Sequence, residues 1–255
     1  MIASFNISQL FGRISARSRR MSALGVLGVA ALVFSMGAIR PDQMLVEHVV
    51  FEGNSRASDT ALRHLADLRN GTTIWGADLQ GVERGVQRHP WVQYSEARRE
   101  WPNTVVVEVA EYRPYATLLS DRLMYVNENG YAFHQAKSDD LSYPVITGAG
   151  ATVGKLHPHL APSIAREAVA LLIQLEDRNL MRRQDISEVS FNKDLGWTVF
   201  VEDGVRIRFA LENLPRQFAR LHDILSDGVH PTDSVLVDLG PEKVAIVTPL
   251  KRNPQ

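Results

Sequence analysis

The segment HPWVQYSEARREWPNTVVVEVAEYRP, residues 89–114, decides how the rest of the chain is read. His89-Pro90 stops a helix, because proline lacks the N–H that an interior turn needs. Val92–Arg99 then alternates as an amphipathic strand, and Trp101-Pro102-Asn103 turns the chain back. Thr104–Ala110 is the cleanest strand of the sequence: Val105, Val107 and Val109 point one way, and Val106, Glu108 and Ala110 the other. A helix stop, two strands and an exit at Glu111-Tyr112-Arg113-Pro114 therefore follow one another without a break.

Upstream of that hairpin, Val46–Glu52 reads as a strand with Val49 and Phe51 on one face, ended by Gly53-Asn54. Ser58 is placed to cap a helix over Asp59–Leu68, whose apolar stripe is Leu62, Leu65 and Ala66, with Asn70-Gly71 closing it. Asp78 caps a second helix, in which Leu79, Val82 and Val86 fall at i, i+3 and i+7. The order is β-α-α-β-β. Two helices on one face of a three-stranded mixed sheet would bury both stripes.

Further upstream, SALGVLGVAALVFSMGAI, residues 22–39, has no charge and no proline. As a helix it would be about 27 Å long, close to the roughly 30 Å hydrocarbon core of a bilayer. Leu24, Val26, Leu27, Val29, Leu32, Val33, Phe34 and Ile39 would face lipid. The leader 1–21 carries Arg13, Arg17, Arg19 and Arg20 and no acid, so the expected topology is a single-pass anchor with a cytoplasmic N-terminus. A cleavable signal peptide with a site near Ser35-Met36-Gly37 is the rival reading, but its apolar core would be shorter, at about 7–15 residues. A buried helix is the other rival, although eighteen residues apolar on every face would be unusual there.

Lys and Arg total 28 and Asp and Glu 29, which disfavours a nucleic-acid binder, since phosphate recognition needs a concentrated positive face. Cysteine is absent, so an exported part would rely on its core rather than on disulfides.

Val49-Val50-Phe51-Glu52-Gly53-Asn54, His89-Pro90-Trp91-Val92, Trp101-Pro102-Asn103-Thr104-Val105-Val106-Val107 and Glu111-Tyr112-Arg113-Pro114 together resemble a POTRA domain. More narrowly, they resemble the membrane-proximal POTRA domain of the FtsQ/DivIB cell-division family. The second half continues the likeness. Ala116–Leu119 and Leu123–Val126 read as strands, and Asn127–Gly130 turns the chain into Tyr131–Phe133. Tyr143-Pro144-Val145-Ile146-Thr147-Gly148 resembles the segment that follows this hairpin in the family. A helix over Ser163–Arg178, strands over Ile186–Phe191, Trp197–Val201 and Val205–Phe209, a helix over Leu214–Leu225, and strands over Ser234–Leu239 and Val244–Pro249 complete the chain.

The expected fold class is α+β: a leader (1–21), a transmembrane helix (22–39), a POTRA domain (45–113), an elongated mixed β-sheet domain with helices (114–250) and a tail (251–255). The resemblance implies a bitopic protein of the bacterial inner membrane at the division septum, with its C-terminal domains periplasmic. It implies recruitment of FtsB-like and FtsL-like partners and influence on septal peptidoglycan synthesis. A septal synthase complex is a further implied partner, through the POTRA domain or the transmembrane helix.

No catalytic constellation stands out, and neither an enzyme nor a cofactor or metal is expected. Gly148–Lys155 resembles a phosphate loop, but Ala149 replaces a needed glycine and Leu156 stands where Ser or Thr would ligate magnesium. His157-Pro158-His159 lacks Cys or acidic neighbours that would complete a metal site. His222-Asp223 are adjacent on a helix and so point apart. Trp91, Trp101 and Trp197 are expected as core or turn residues, and Arg98-Arg99 as a solvated edge. Two other classes remain open: a POTRA-type module that handles outer-membrane or secreted polypeptides, and a membrane-anchored cell-wall enzyme. The first would expect POTRA repeats and a barrel, the second convergent acids or a metal site.

What remains is recognition through backbone. An edge strand offers unpaired N–H and C=O groups, and a strand from another chain can satisfy them. Val244, Ala245, Ile246, Val247, Thr248 and Pro249 are the best candidates for such an edge, with burial in the core as the competing reading. The family often has a basic residue and then an aromatic after the Val235–Leu239 strand, where this chain has Gly240-Pro241, and a later tryptophan is replaced near Thr248. Those departures weaken any residue-by-residue transfer of the family's contacts.

Overall fold

The structure, a computed structural model, describes residues 44–69, 71–137, 140, 142–148, 159–201, 204–226, 235–240 and 246–249. The leader, the apolar run, the phosphate-loop-like segment after Gly148 together with His157, and the tail lie outside them. No helix among the described residues is long and apolar enough to cross a membrane.

The first unit is a three-stranded sheet in the order β1-β3-β2, built from β1 (His48–Glu52), β2 (Val92–Glu100) and β3 (Thr104–Glu111). β3 lies parallel to β1 and antiparallel to β2, which makes the sheet mixed. Helices α1 (Asp59–Ala66) and α2 (Leu79–Val86) start as the caps require: Ser58 accepts from the N–H of Ala61 at 3.3 Å, and Asp78 from that of Gly81 at 3.0 Å. The two helices touch closely at Gly85, where a Cβ would sit 2.1 Å from the Leu65 carbonyl oxygen. Val105, Val107 and Val109 point into this core with Leu62, Val82 and Val86.

Some boundaries differ from expectation. α1 stops at Ala66 rather than Leu68, because Asp67 takes a left-handed conformation (φ 47°) and ends the helix before Gly71 is reached. Val46 and Glu47 precede β1: their N–H groups donate to Thr72 and Asn103 carbonyls at 2.9 Å instead of joining the ladder. Val106, on the outer face, is also buried, flanked on the neighbouring strands by Val50 and Arg98. Arg98 does lie on the partly open outer face, paired with Glu52 and Glu108. Arg99 is no solvated edge. Its guanidinium donates to the carbonyls of Ile74 (2.7 Å) and Ala77 (2.9 Å), so it clamps the loop before α2 onto β2.

The second unit is a nine-stranded sheet in the order β12-β11-β10-β9-β8-β7-β4-β5-β6. Its strands are β4 (Ala116–Leu119), β5 (Leu123–Val126), β6 (Ala132–Gln135), β7 (Val145–Gly148), β8 (Ile186–Asn192), β9 (Gly196–Val201), β10 (Arg206–Phe209), β11 (Val235–Asp238) and β12 (Ile246–Pro249). β6 begins after Tyr131, because Asn127 Oδ1 accepts from the N–H groups of Asn129 and Tyr131 and holds both in the turn. β7 and β8 are parallel and joined through α3 (Ala161–Asp177); β10 and β11 are parallel and joined through α4 (Leu214–Ser226). Both helices contribute to one core: Leu171, Leu172 and Leu175 from α3, Phe218 and Leu221 from α4, with Trp197, Val199, Ile207 and Phe209 beneath them.

The two units share an aromatic cluster. Trp91 is buried with its ring centroid 5.5 Å from Tyr125, 5.2 Å from Phe133 and 5.0 Å from His134, while Arg56 covers it at 4.4 Å. Tyr112 stacks on Phe133 at 4.8 Å. The small-sheet core therefore continues into the β5–β6 hairpin.

Glu111 reinforces the end of β3 at this junction. The backbone N–H groups of Ser55, Arg56 and Ala57 donate to its carboxylate at 2.8–3.0 Å, and the Ser55 hydroxyl donates at 2.8 Å. Partial burial pushes the carboxyl pKa up, but these bonds more than offset it and hold it below the ordinary value. A depressed carboxyl pKa gives stability that is present above the unfolded-state pKa and lost as pH falls through the folded one. Glu111→Gln is expected to cost about 1 kcal/mol at neutral pH after solvent screening, and to flatten the loss of stability below about pH 4. Thermal unfolding across pH measures this; an unchanged acid limb would exclude Glu111 as its source.

Candidate partner-docking edge

β11 is tied down from both sides. Arg208 on β10 pairs with Asp238 at 3.1 Å, each only partly exposed, and Arg220 on α4 donates to the Leu239 carbonyl. Gln217, buried at the start of α4, bonds the N–H of Ala210 at 2.8 Å and its carbonyl at 3.1 Å, which fixes the turn out of β10. Val237 and Leu239 fill the core beneath. β11 is thus fixed against both β10 and α4.

Among the described residues β12 pairs only with β11, antiparallel, with Val237 opposite Val247 and Asp238 opposite Ile246, and forms the outer edge of the sheet. Ile246 is 48% exposed and Val247 47%, and Thr248 is exposed as well. Neighbouring residues of a strand face opposite ways, so exposure of both Ile246 and Val247 means that neither face is packed as core. Val244 and Ala245 lie outside the described residues.

The edges of the small sheet are guarded. β2 carries Glu96, Arg98, Arg99 and Glu100 along its length, and the Val49 carbonyl of β1 accepts from Arg63 at 2.7 Å. β6 turns Phe133 into the aromatic cluster. β12 carries no charge and, among the described residues, has no cover, which is the arrangement that invites another strand. The remaining candidate residues do not assemble. His222 and Asp223 are both exposed on α4, and among the described residues no three His, Asp or Glu side chains converge as metal ligands would. Trp91 and Trp197 are buried, and Trp101 stands at its turn.

Residues 44–112 match the family described as "POTRA domain, FtsQ-type", and residues 118–240 that described as "Cell division protein FtsQ/DivIB, C-terminal". The chain is 32% identical over 206 residues to the cell division protein FtsQ of Anaeromyxobacter sp. (strain K), covering 80% of this chain and 70% of that one. The chain belongs to the FtsQ family. Cell division protein FtsQ of Syntrophotalea carbinolica is similar at 27% over 80% of this chain and 73% of its own length, and that of Myxococcus fulvus at 32% over 67% and 63%.

The FtsQ/DivIB match ends at Gly240, so β12 lies beyond it, past the Gly240-Pro241 departure. Three residues that hold the FtsQ-type architecture were not legible in advance. Glu111 binds a loop 54–56 residues away, Gln217 has no pattern to mark it, and Arg99 sits beside a residue that behaves differently. Only the close hydrophobic neighbours of Gln217 on α4, Phe218 and Leu221, hinted that this face is interior.

Proposed function

We propose that this protein is a non-enzymatic scaffold of the bacterial division machinery, and that β12 accepts a strand from an FtsB-like protein paired with an FtsL-like one. Ser22–Ile39 anchors it once in the inner membrane at the septum, with the leader in the cytoplasm and the POTRA domain (45–113) and β domain (114–250) in the periplasm. By assembling these small partners it regulates septal peptidoglycan synthesis, and the POTRA domain or the transmembrane helix adds contacts to the septal synthase complex. The observation that carries this reading is an uncharged apolar edge strand, exposed on both faces, on a chain of the FtsQ family.

Val247→Glu tests it. A charge at a half-exposed position leaves the fold intact but must be desolvated when a partner strand docks. Co-purification of the FtsB-like protein with the full chain is expected to fall by at least about tenfold, with circular dichroism unchanged. Undiminished capture would move the docking site elsewhere.

A further inference from the structure

Two of the four tryptophans are buried, Trp91 and Trp197; the other two, Trp75 and Trp101, are 53% and 50% exposed. They come from separate loops, yet their rings meet edge-to-face at 5.8 Å. An exposed pair of indoles is costly to leave in water unless something covers it.

Their position says what that is. The described chain enters through Met44–Glu47, stitched on one side to the Trp75 loop and on the other to the Trp101 turn. The N–H of Ile74 donates to the Met44 carbonyl at 2.7 Å and that of Val46 to the Thr72 carbonyl at 2.9 Å, while Glu47 N–H donates to the Asn103 carbonyl at 2.9 Å. Leu45, itself exposed, bridges to Thr73. Both indoles therefore flank the point where the polypeptide arrives from the apolar run. That run ends at Ile39, and five Cα steps to Met44 span at most about 18 Å. The interfacial layer on each side of a bilayer is itself roughly 5–8 Å deep. The rim is thus tethered within reach of the headgroups.

The chemistry suits that layer. An indole combines an apolar body with an N–H donor, and tryptophan is enriched at membrane–water interfaces for that reason. Arg99 lies 5.8 Å from the Trp75 ring centroid, and among the described residues no carboxylate ion-pairs with it, so a positive charge accompanies the pair. We propose that Trp75 and Trp101 form a membrane-contacting rim that seats the first unit on the phospholipid headgroup layer and fixes its tilt over the anchor. This rests on the reading of Ser22–Ile39 as a membrane anchor.

The test uses the full chain reconstituted into phosphatidylethanolamine–phosphatidylglycerol vesicles, with part of the lipid brominated high on its acyl chains. Quenching is expected to remove roughly half of the tryptophan emission, since two of four indoles face the bilayer. In the Trp75→Phe, Trp101→Phe double variant the remaining emission is expected to be insensitive to brominated lipid, with unchanged circular dichroism. Protein that stays with the vesicles through alkaline carbonate but shows unquenched emission would overturn the rim and leave the anchor standing. Quenching that persists in the double variant would overturn it too. Release by carbonate would overturn the anchor reading, and the rim with it.

Discussion

Trp91→Ala is expected to lower the melting temperature of the full chain by roughly 10 °C, the consequence of losing about 3–5 kcal/mol of packing. The ring is buried where the two units share a core, against Tyr125, Phe133 and His134 of the β5–β6 hairpin. Collapse cannot fill the space, since β2 and β3 are held by their own ladder and the hairpin belongs to the larger sheet. Arg56, stacked on the ring at 4.4 Å, also loses its partner. The effect should couple with Phe133→Ala by about 1 kcal/mol in a double-mutant cycle, because the two rings meet edge-to-face. A loss under about 1 kcal/mol, or strict additivity with Phe133→Ala, would show that the units do not share this core.

This junction also separates what sequence patterning can reveal from what it cannot. Alternation at Val105, Val107 and Val109 and the caps at Ser58 and Asp78 are local facts, and the first unit follows from them. Trp91 is legible as a core residue too, since Pro-Trp-Val at a helix–strand switch leaves it nowhere polar to go. That its neighbours are Phe133 and Tyr125 is not legible, because the contact depends on how the second unit's hairpin is laid over the first. Glu111 and Arg99 mislead for a related reason: each is a charged residue at a strand end, yet its partners are backbone groups of distant loops. A hydrophobicity pattern carries no information on backbone donors and acceptors. The edge is a mixed case. An apolar strand near the C-terminus could be read from Ile246 and Val247, but its place at the rim follows from β10 and β11 being parallel, which requires the α4 crossover and sends the chain outward.

That geometry leads to the second large effect. Ile246→Pro is expected to abolish capture of the FtsB-like partner, a ten- to hundredfold loss or more, while the chain stays folded. Strand addition draws its affinity from main-chain bonds, and proline both removes an N–H and leaves the opposing carbonyl buried without a donor, costing about 1–3 kcal/mol. The ring also intrudes on the pairing surface, which is why proline is found on sheet edges that must not pair. Successive N–H groups of a strand point to opposite sides, so Val247→Pro is the informative companion: of the two positions, one donor faces the partner and the other faces β11. One variant should lose capture with an unchanged melting temperature, and the other should also loosen β12 from β11. Capture that survives both prolines would mean that the partner does not pair with this backbone. Salt adds an independent check. Ile246, Val247 and Thr248 carry no charge, so capture should vary little between about 0.05 and 0.5 M salt. A steep salt dependence would instead point to the charged strand behind it, where Arg206 and Arg208 lie opposite Leu236 and Asp238.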